Sequence, residues 1–177
     1  MGFAGNFASL AVGCALWVAS CATGLAAKDK DAVATASGLP VPRYVSLKSD
    51  HVNVRAGPTK DQDVTWIYTR SGLPVEITAE FENWRRVRDS EGAEGWVYHS
   101  LLSGRRTAVV TMKNKDDLAP IYDSADANSA VAAKLQAGVV VTVKRCNNGW
   151  CRVAGNGFDG WIEQQRLWGV YADEKVN

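Results

Sequence analysis

Cysteine and histidine are the residue types in this chain whose chemistry would support nucleophilic catalysis. A thiol nucleophile needs a histidine base and a third group that orients the histidine. The sequence has 4 Cys and 2 His, and the histidines are His51 and His99. It contains no HExxH or comparable metal-ligand set, and no glycine-rich phosphate loop. We therefore expect no metal and no cofactor. Because the cysteine pair is also explained by a structural disulfide, we expect no catalytic residue either, and the chain is predicted not to be an enzyme.

The cysteine pair Cys146 and Cys151 has a simpler explanation than catalysis. The two residues flank "NNGW", a turn sequence between apolar runs. Across a hairpin they would face each other within disulfide reach, as in exported proteins. The alternatives are a redox pair, which usually has CxxC spacing, and a metal site, which needs more ligands. We expect a structural disulfide.

The N-terminal segment has the character of a targeting sequence. Residues 7–20 are apolar and uncharged, small residues follow, and charges begin at Lys28. The apolar stretch is too short to span a bilayer comfortably, which predicts a signal peptide over 1–27 and export to the periplasm; the alternative is a short buried helix. Val18-Ala19-Ser20-Cys21 also resembles a lipobox, and acylation of Cys21 would give an anchored lipoprotein instead.

The composition of the full sequence limits the class of protein. With 20 basic and 19 acidic residues the net charge is +1, which argues against a nucleic-acid-binding protein. The 7 Trp and 16 Gly favour β structure with tight turns. Residues 28–42 are rich in charge, Ala, Ser, Gly and Pro without apolar periodicity, which predicts a flexible linker.

An internal repeat sets the domain organisation. "GLPVEITAEFENWRRV" at 72–87 aligns with "GVVVTVKRCNNGWCRV" at 138–153, and Gly-Trp-Val at 95–97 aligns with Gly-Trp-Ile at 160–162. Apolar and polar residues alternate as in short strands, and turn signals separate them. Each unit is therefore predicted to be one small β-barrel.

The two units divide the rest of the chain. The first domain is predicted over 43–106 and the second, with a C-terminal extension, over 107–177. In the extension, Trp168 and Tyr171 are expected to cover a barrel edge.

The motifs of the two units resemble those of a known family. "VNVRAGPT" at 52–59, followed by "GLPVEI", "ENWRRV" and "EGWV", resembles the bacterial SH3-like (SH3b) domain, and the second half resembles a degenerate copy. The resemblance implies an all-β fold of two tandem SH3-like barrels after the signal peptide and linker. It also implies a cell-envelope role, in which the partner is a peptidoglycan peptide or glycan. The alternative is a periplasmic scaffold or accessory subunit that binds another envelope protein, such as a cell-wall hydrolase.

Two sets of residues are candidates for the binding surface. Aromatic side chains offer large, rigid contact area to a sugar ring or peptide; the alternative for them is to fill the barrel. Arginines suit carboxylate ligands, and their alternative is pairing with neighbouring acidic residues. The predicted ligand-binding residues are Arg55, Trp66, Tyr68, Trp84, Trp96 and Tyr98, and the second set is Arg85, Arg86, Arg88, Arg105 and Arg106.

Overall fold

The strands of this chain form two antiparallel sheets of the same topology. The computed structural model describes residues 1–2, 35–114 and 116–177, so the predicted leader beyond Gly2, including Cys21, lies outside the described residues. No described helix has the length and apolar character needed to cross a membrane. The first sheet contains β1 (Arg43–Leu47), β2 (Val52–Arg55), β3 (Val64–Tyr68), β4 (Pro74–Phe81), β5 (Trp84–Arg88), β6 (Glu94–Tyr98) and β7 (Leu102–Ser103). The second contains β8 (Thr107–Val110), β9 (Leu118–Tyr122), β10 (Val131–Gln136), β11 (Val140–Asn147), β12 (Trp150–Gly155), β13 (Phe158–Glu163) and β14 (Leu167–Trp168).

The strand orders show the duplication directly. The first sheet runs β3-β2-β6-β5-β4-β1-β7 and the second runs β10-β9-β13-β12-β11-β8-β14. Each strand of the second sheet therefore occupies the place of the strand seven positions earlier in the chain. A 3₁₀ turn precedes the last strand of each sheet, at His99–Leu101 and at Gln164–Arg166. The prediction of an all-β chain with two tandem SH3-like barrels is confirmed.

Alternation along the strands builds one core in each barrel. Val52 and Val54 are fully buried while Asn53 and Arg55 between and after them are half-buried, as expected when successive side chains point to opposite faces. The first core consists of Leu47, Val52, Val54, Val75, Ile77, Val87 and Val97. The second is larger and includes Val110, Ile121, Val141, Val153, Ile162 and Leu167 together with both cysteines.

The predicted disulfide is confirmed. Cys146 and Cys151 lie opposite each other in the β11–β12 hairpin and are bonded, with their Cα atoms 4.1 Å apart. The C-terminal tail pairs with the same hairpin: the Cys146 N–H donates to the Val176 carbonyl at 2.9 Å, and the Val176 N–H donates to the Cys146 carbonyl at 3.1 Å. The disulfide thus lies in the core of the second barrel, and it links β12 to β11, the strand with which the tail pairs.

The glycine of each Gly-Trp motif is required by close packing. A Cβ at Gly95 would lie 2.4 Å from Val54 Cγ1, and one at Gly160 would lie 2.7 Å from the Tyr122 carbonyl oxygen. These distances are shorter than van der Waals contact, so β2 and β9 can approach β6 and β13 only where the side chain is a hydrogen. The motif therefore marks a close approach of two neighbouring strands in both barrels.

Aromatic residues of the tail join the barrels, which belong to one compact unit of the chain. The Tyr44 ring on β1 lies 5.1 Å from Trp168 and 4.6 Å from Tyr171, measured between ring centroids. The Tyr171 hydroxyl donates to Glu76 Oε1 of the first barrel at 2.9 Å. Trp168 and Tyr171 therefore pack against the neighbouring barrel as well as their own, which the repeat pattern alone does not indicate.

Candidate ligand-binding surface

The predicted aromatic set of the first barrel divides between two faces of the sheet. Trp66 and Tyr68 lie opposite Val54 and Val52 and pack, half-buried, against the core. The Tyr68 hydroxyl donates to Asp89 Oδ2 at 3.0 Å. Burial, and next the Asp89 carboxylate, raise the pKa of Tyr68 above its ordinary value. Both side chains therefore contact the core in this geometry.

Trp84, Trp96 and Tyr98 lie on the other face, away from the core valines. Trp84 is opposite Tyr98 and Trp96 is opposite Arg86 in the β5–β6 pairing, and directly opposite residues share a face. The Trp84 ring packs edge-on against Tyr98, with centroids 5.4 Å apart, and is only 7% exposed. Trp96 and Tyr98 are half-buried and remain available for contact.

Arg55 closes the loop that follows the "NVR" strand. Its Nη1 donates to the Gln62 carbonyl at 2.6 Å, and the Ala56 N–H donates to the Asp63 carbonyl at 3.0 Å. Arg55 also lies opposite Trp96 across β2 and β6. The arginine before the Gly-Pro break thus holds the loop and at the same time flanks the outward tryptophan.

Most of the other predicted arginines are neutralised by carboxylates within the described residues. Arg85 pairs with Glu80 at 3.1 Å, Arg86 with Glu94 at 2.6 Å, Arg88 with Glu76 at 2.5 Å and Arg106 with Glu174 at 2.7 Å. For these four side chains the interleaved-charge alternative describes the structure. Arg105 differs, because its Nη2 donates to Thr142 Oγ1 at 2.7 Å instead.

The second barrel repeats the outward face with different residues. Trp161 lies opposite both Tyr122 and Arg152, so it occupies the place of Trp96 between Arg55 and Arg86. The Trp150 ring packs edge-on against Tyr122 at 5.6 Å. The Arg145 guanidinium lies 5.0 Å above the Trp161 ring, within the range of a cation–π interaction.

Beside these tryptophans the second barrel has a groove. Its volume is about 580 Å³, and Trp150, Trp161, Arg145 and Lys175 contribute to its walls. Two half-buried indole rings and two cations thus border one concave surface. Such a combination suits a ligand with an apolar or sugar face and an anionic group.

The ligand-binding residues predicted from the sequence all lie on the first barrel. The signal for the second groove was present in the repeat itself, since Trp150 and Trp161 align with Trp84 and Trp96. Arg145 and Lys175 had no such signal, because their approach to the tryptophans depends on the hairpin and on the tail. Within residues 1–2, 35–114 and 116–177, no group of three Cys, His, Asp or Glu is placed to hold a metal ion.

Comparison with known families agrees with this geometry. A sequence model of the bacterial SH3 domain matches residues 48–104 and 115–169, together more than half of the chain. The chain belongs to the bacterial SH3 domain family. Each match falls on one of the two sheets, so the second copy is a family member in sequence as well as in topology, and the resemblance noted from the motifs is confirmed.

Comparison with individual proteins is less informative. No curated protein matches the chain. Among solved structures, NlpC2 from Trichomonas vaginalis is 18% identical, with a TM-score of 0.32 over 72% of this chain and 48% of that one. NlpC1 from the same organism is also 18% identical, with a TM-score of 0.32 over 75% of this chain and 48% of that one. The chain therefore spans about half the length of these proteins.

Proposed function

We propose that this protein is an exported, non-catalytic binding protein that recognises a cell-envelope ligand, a peptidoglycan peptide or glycan, through the outward aromatic faces of its SH3 barrels. The observation that carries the proposal is the repeated arrangement of a half-buried tryptophan flanked by cross-strand polar or aromatic partners, at Trp96 and again at Trp161. In the second barrel this arrangement borders a groove of about 580 Å³.

The chemistry of these faces suits a wall ligand. An indole ring offers a flat apolar surface to the C–H face of a sugar or to a peptide side chain, at low cost in conformational entropy. Arg145 above Trp161 and Lys175 at the groove supply positive charge for a carboxylate. The two barrels would then bind different parts of one polymer, which raises the effective concentration of the second contact.

The proposal that the protein is non-catalytic follows from how its reactive residues are used. Cys146 and Cys151 are joined in a disulfide, so neither offers a thiol in the described residues. Glu94, on the same strand as Trp96, is ion-paired with Arg86. These uses support a binding role, because acyl transfer needs a free nucleophile in contact with a base.

Export to the periplasm is the localisation we propose. The disulfide supports it, because such bonds form and persist in oxidising compartments. The apolar stretch over 7–20 supports it from the sequence.

A second candidate, binding to another envelope protein, is favoured by the sheet edges. β3 and β10 are end strands of their sheets, and each exposes apolar side chains: Val64 is 41%, Ile67 42% and Val131 48% exposed. An edge strand with apolar residues can accept a strand from a partner. The proposed partner of this kind is a cell-wall hydrolase or an envelope scaffold.

Variants of the two outward tryptophans test the primary proposal. The purified protein is sedimented with peptidoglycan sacculi, and bound protein is measured for wild type, W96A, W161A and the double variant. Because stacking on one aromatic ring contributes about 1–2 kcal/mol, each single variant should weaken binding about fivefold to thirtyfold.

A matched control separates a lost contact from a general loss of apolar surface. L39A removes an apolar side chain that is 53% exposed and lies in the segment before β1, outside both sheets, and it should bind like wild type. Equal binding by all variants, each shown to be folded, would reject the tryptophan faces and direct attention to the strand edges.

A further inference from the structure

A basic groove between the two barrels belongs to neither tryptophan face. It has a volume of about 660 Å³ and is lined by residues of both barrels. Lys48, Arg70 and Arg105 contribute three cationic side chains, and no Asp or Glu is among the residues that line it. The groove is thus positively charged on a protein whose net charge is only +1.

The arginines of this groove differ from most others in the described chain. Arg43, Arg86, Arg88, Arg106 and Arg152 all form salt bridges with carboxylates. Arg70 and Arg105 form none within the described residues, although the chain has 19 acidic residues to offer. Of the described arginines without a carboxylate partner, Arg70 and Arg105 are the two that line this groove.

Hydrogen bonds to neutral groups of the second barrel hold both guanidinium groups at the groove. Arg70 Nη1 donates to the Gly138 carbonyl at 3.3 Å, and Arg105 Nη2 donates to Thr142 Oγ1 at 2.7 Å. Each bond uses one N–H and leaves the remaining donors of the planar group without a carboxylate. Lys48 Nζ is held in a similar way by the Ser100 carbonyl at 3.3 Å.

We propose that this groove is a binding site for a small polyanion, a ligand with two or more carboxylate or phosphate groups. Carboxylate and phosphate share the geometry that a guanidinium binds through two parallel hydrogen bonds. A groove of about 660 Å³ fits a ligand of small-molecule or short-oligomer size. Cations that line a concave surface without counter-charges also concentrate an anionic ligand before contact. The site requires both barrels, which gives the tandem arrangement a role that one barrel would not have.

Isothermal titration of the full chain with two probes tests the site. Tripolyphosphate represents the phosphate class and tetraglutamate peptide the carboxylate class. We expect one site per chain, with affinity that falls as salt is added. R70A and R105A should each weaken binding about threefold to tenfold, and R70K should recover only part of the loss, because lysine keeps the charge without the planar pair of donors.

K60A is the matched control. Lys60 is exposed in the loop between β2 and β3, so this variant removes one positive charge outside the groove. Binding of tripolyphosphate alone, of tetraglutamate alone or of both, with loss in R70A and R105A but not in K60A, supports the site and names its class. Failure of both probes to bind, or equal loss in all three variants, overturns it. Trp96 and Trp161 lie outside the groove. The outcome of the titration is therefore independent of the outcome of the sacculus experiment.

Discussion

Glu80 offers the sharpest test of how the first barrel is held together. Its carboxylate accepts hydrogen bonds from the Ser37 N–H at 2.7 Å, the Ser37 hydroxyl at 2.8 Å and Arg43 Nη2 at 2.5 Å, and it pairs with Arg85 Nε at 3.1 Å. The side chain is fully buried. One carboxylate therefore joins β4 to β1, to β5 and to the end of the segment that the sequence predicted as a linker.

We predict that E80Q lowers the free energy of unfolding by about 2–3 kcal/mol at pH 7. The amide keeps the shape of the side chain but loses the charge and turns two N–H groups toward existing donors. The cost stays below that of a fully broken buried pair, because Arg85 keeps its bonds to the Glu82 and Trp84 carbonyls at 2.8 and 2.9 Å. Urea denaturation followed by tryptophan fluorescence measures the difference.

The pH dependence of this difference has a definite sign. Burial alone would raise the pKa of Glu80, but the hydrogen bonds from Arg43 and Ser37 outweigh it and hold the pKa below its ordinary value of 4.5. A group whose folded-state pKa is depressed contributes stability above the unfolded-state pKa and loses it as the pH falls through the folded-state pKa. The gap between wild type and E80Q should therefore be constant near neutral pH and shrink below pH 4.5.

E82Q is the control for Glu80, since Glu82 is exposed in the adjacent turn and has no ion pair in the described residues. It should change stability by less than about 0.5 kcal/mol. The reasoning is refuted if E80Q is as stable as E82Q at pH 7, or if its deficit is the same at pH 3 and pH 7.

Three further predictions concern packing, the disulfide and the contact between barrels. G160A should lower the free energy of unfolding by at least about 2 kcal/mol, and by more than G95A does, because the new Cβ would lie 2.7 Å from a backbone carbonyl oxygen of β9 and a backbone carbonyl cannot rotate away. Thermal unfolding of both variants ranks them. A larger loss in G95A than in G160A would contradict this explanation of the glycines. Replacing Cys146 and Cys151 by alanine should lower the free energy of unfolding by about 2 kcal/mol, as expected for a disulfide that closes a short loop. Reductant should lower the stability of wild type to that of the variant and leave the variant unchanged. A wild type whose stability does not respond to reductant would count against the bond. Y171F should lower the free energy of unfolding by about 1 kcal/mol. Burial and then the bonded Glu76 raise the pKa of Tyr171 above 10.0, so the stability that the tyrosine adds should be lost as the pH rises beyond 10.0. If wild type remains more stable than Y171F in strong alkali, that result would argue against the hydrogen bond.

The fold was predictable because its determinants are local and repeated. Alternating valines define each strand face, and the repeated Gly-Trp motif marks the same close approach of neighbouring strands at Gly95 and Gly160. The disulfide was predictable for a similar reason, since Cys146 and Cys151 flank a turn only a few residues long.

The surfaces were less predictable, because they depend on residues distant in sequence. Alternation places Trp84 and Trp96 on the same face, but it does not show that Trp84 is 7% exposed while Trp96 remains more open. Arg85 has the same sequence character as Arg86, and only the fold reveals that it meets a buried Glu80. The groove between the barrels depends on Arg70 reaching Gly138, 68 residues away, for which no local pattern exists.

The most direct test of the central claim combines binding and hydrolysis in one experiment. The purified protein is incubated with peptidoglycan sacculi, sedimented protein is quantified over a range of concentrations, and the supernatant is analysed for released muropeptides. A binding protein without catalytic residues should sediment saturably and release nothing above a protein-free control. Absence of binding at micromolar protein, or release of wall fragments that grows with time, would contradict the proposed function.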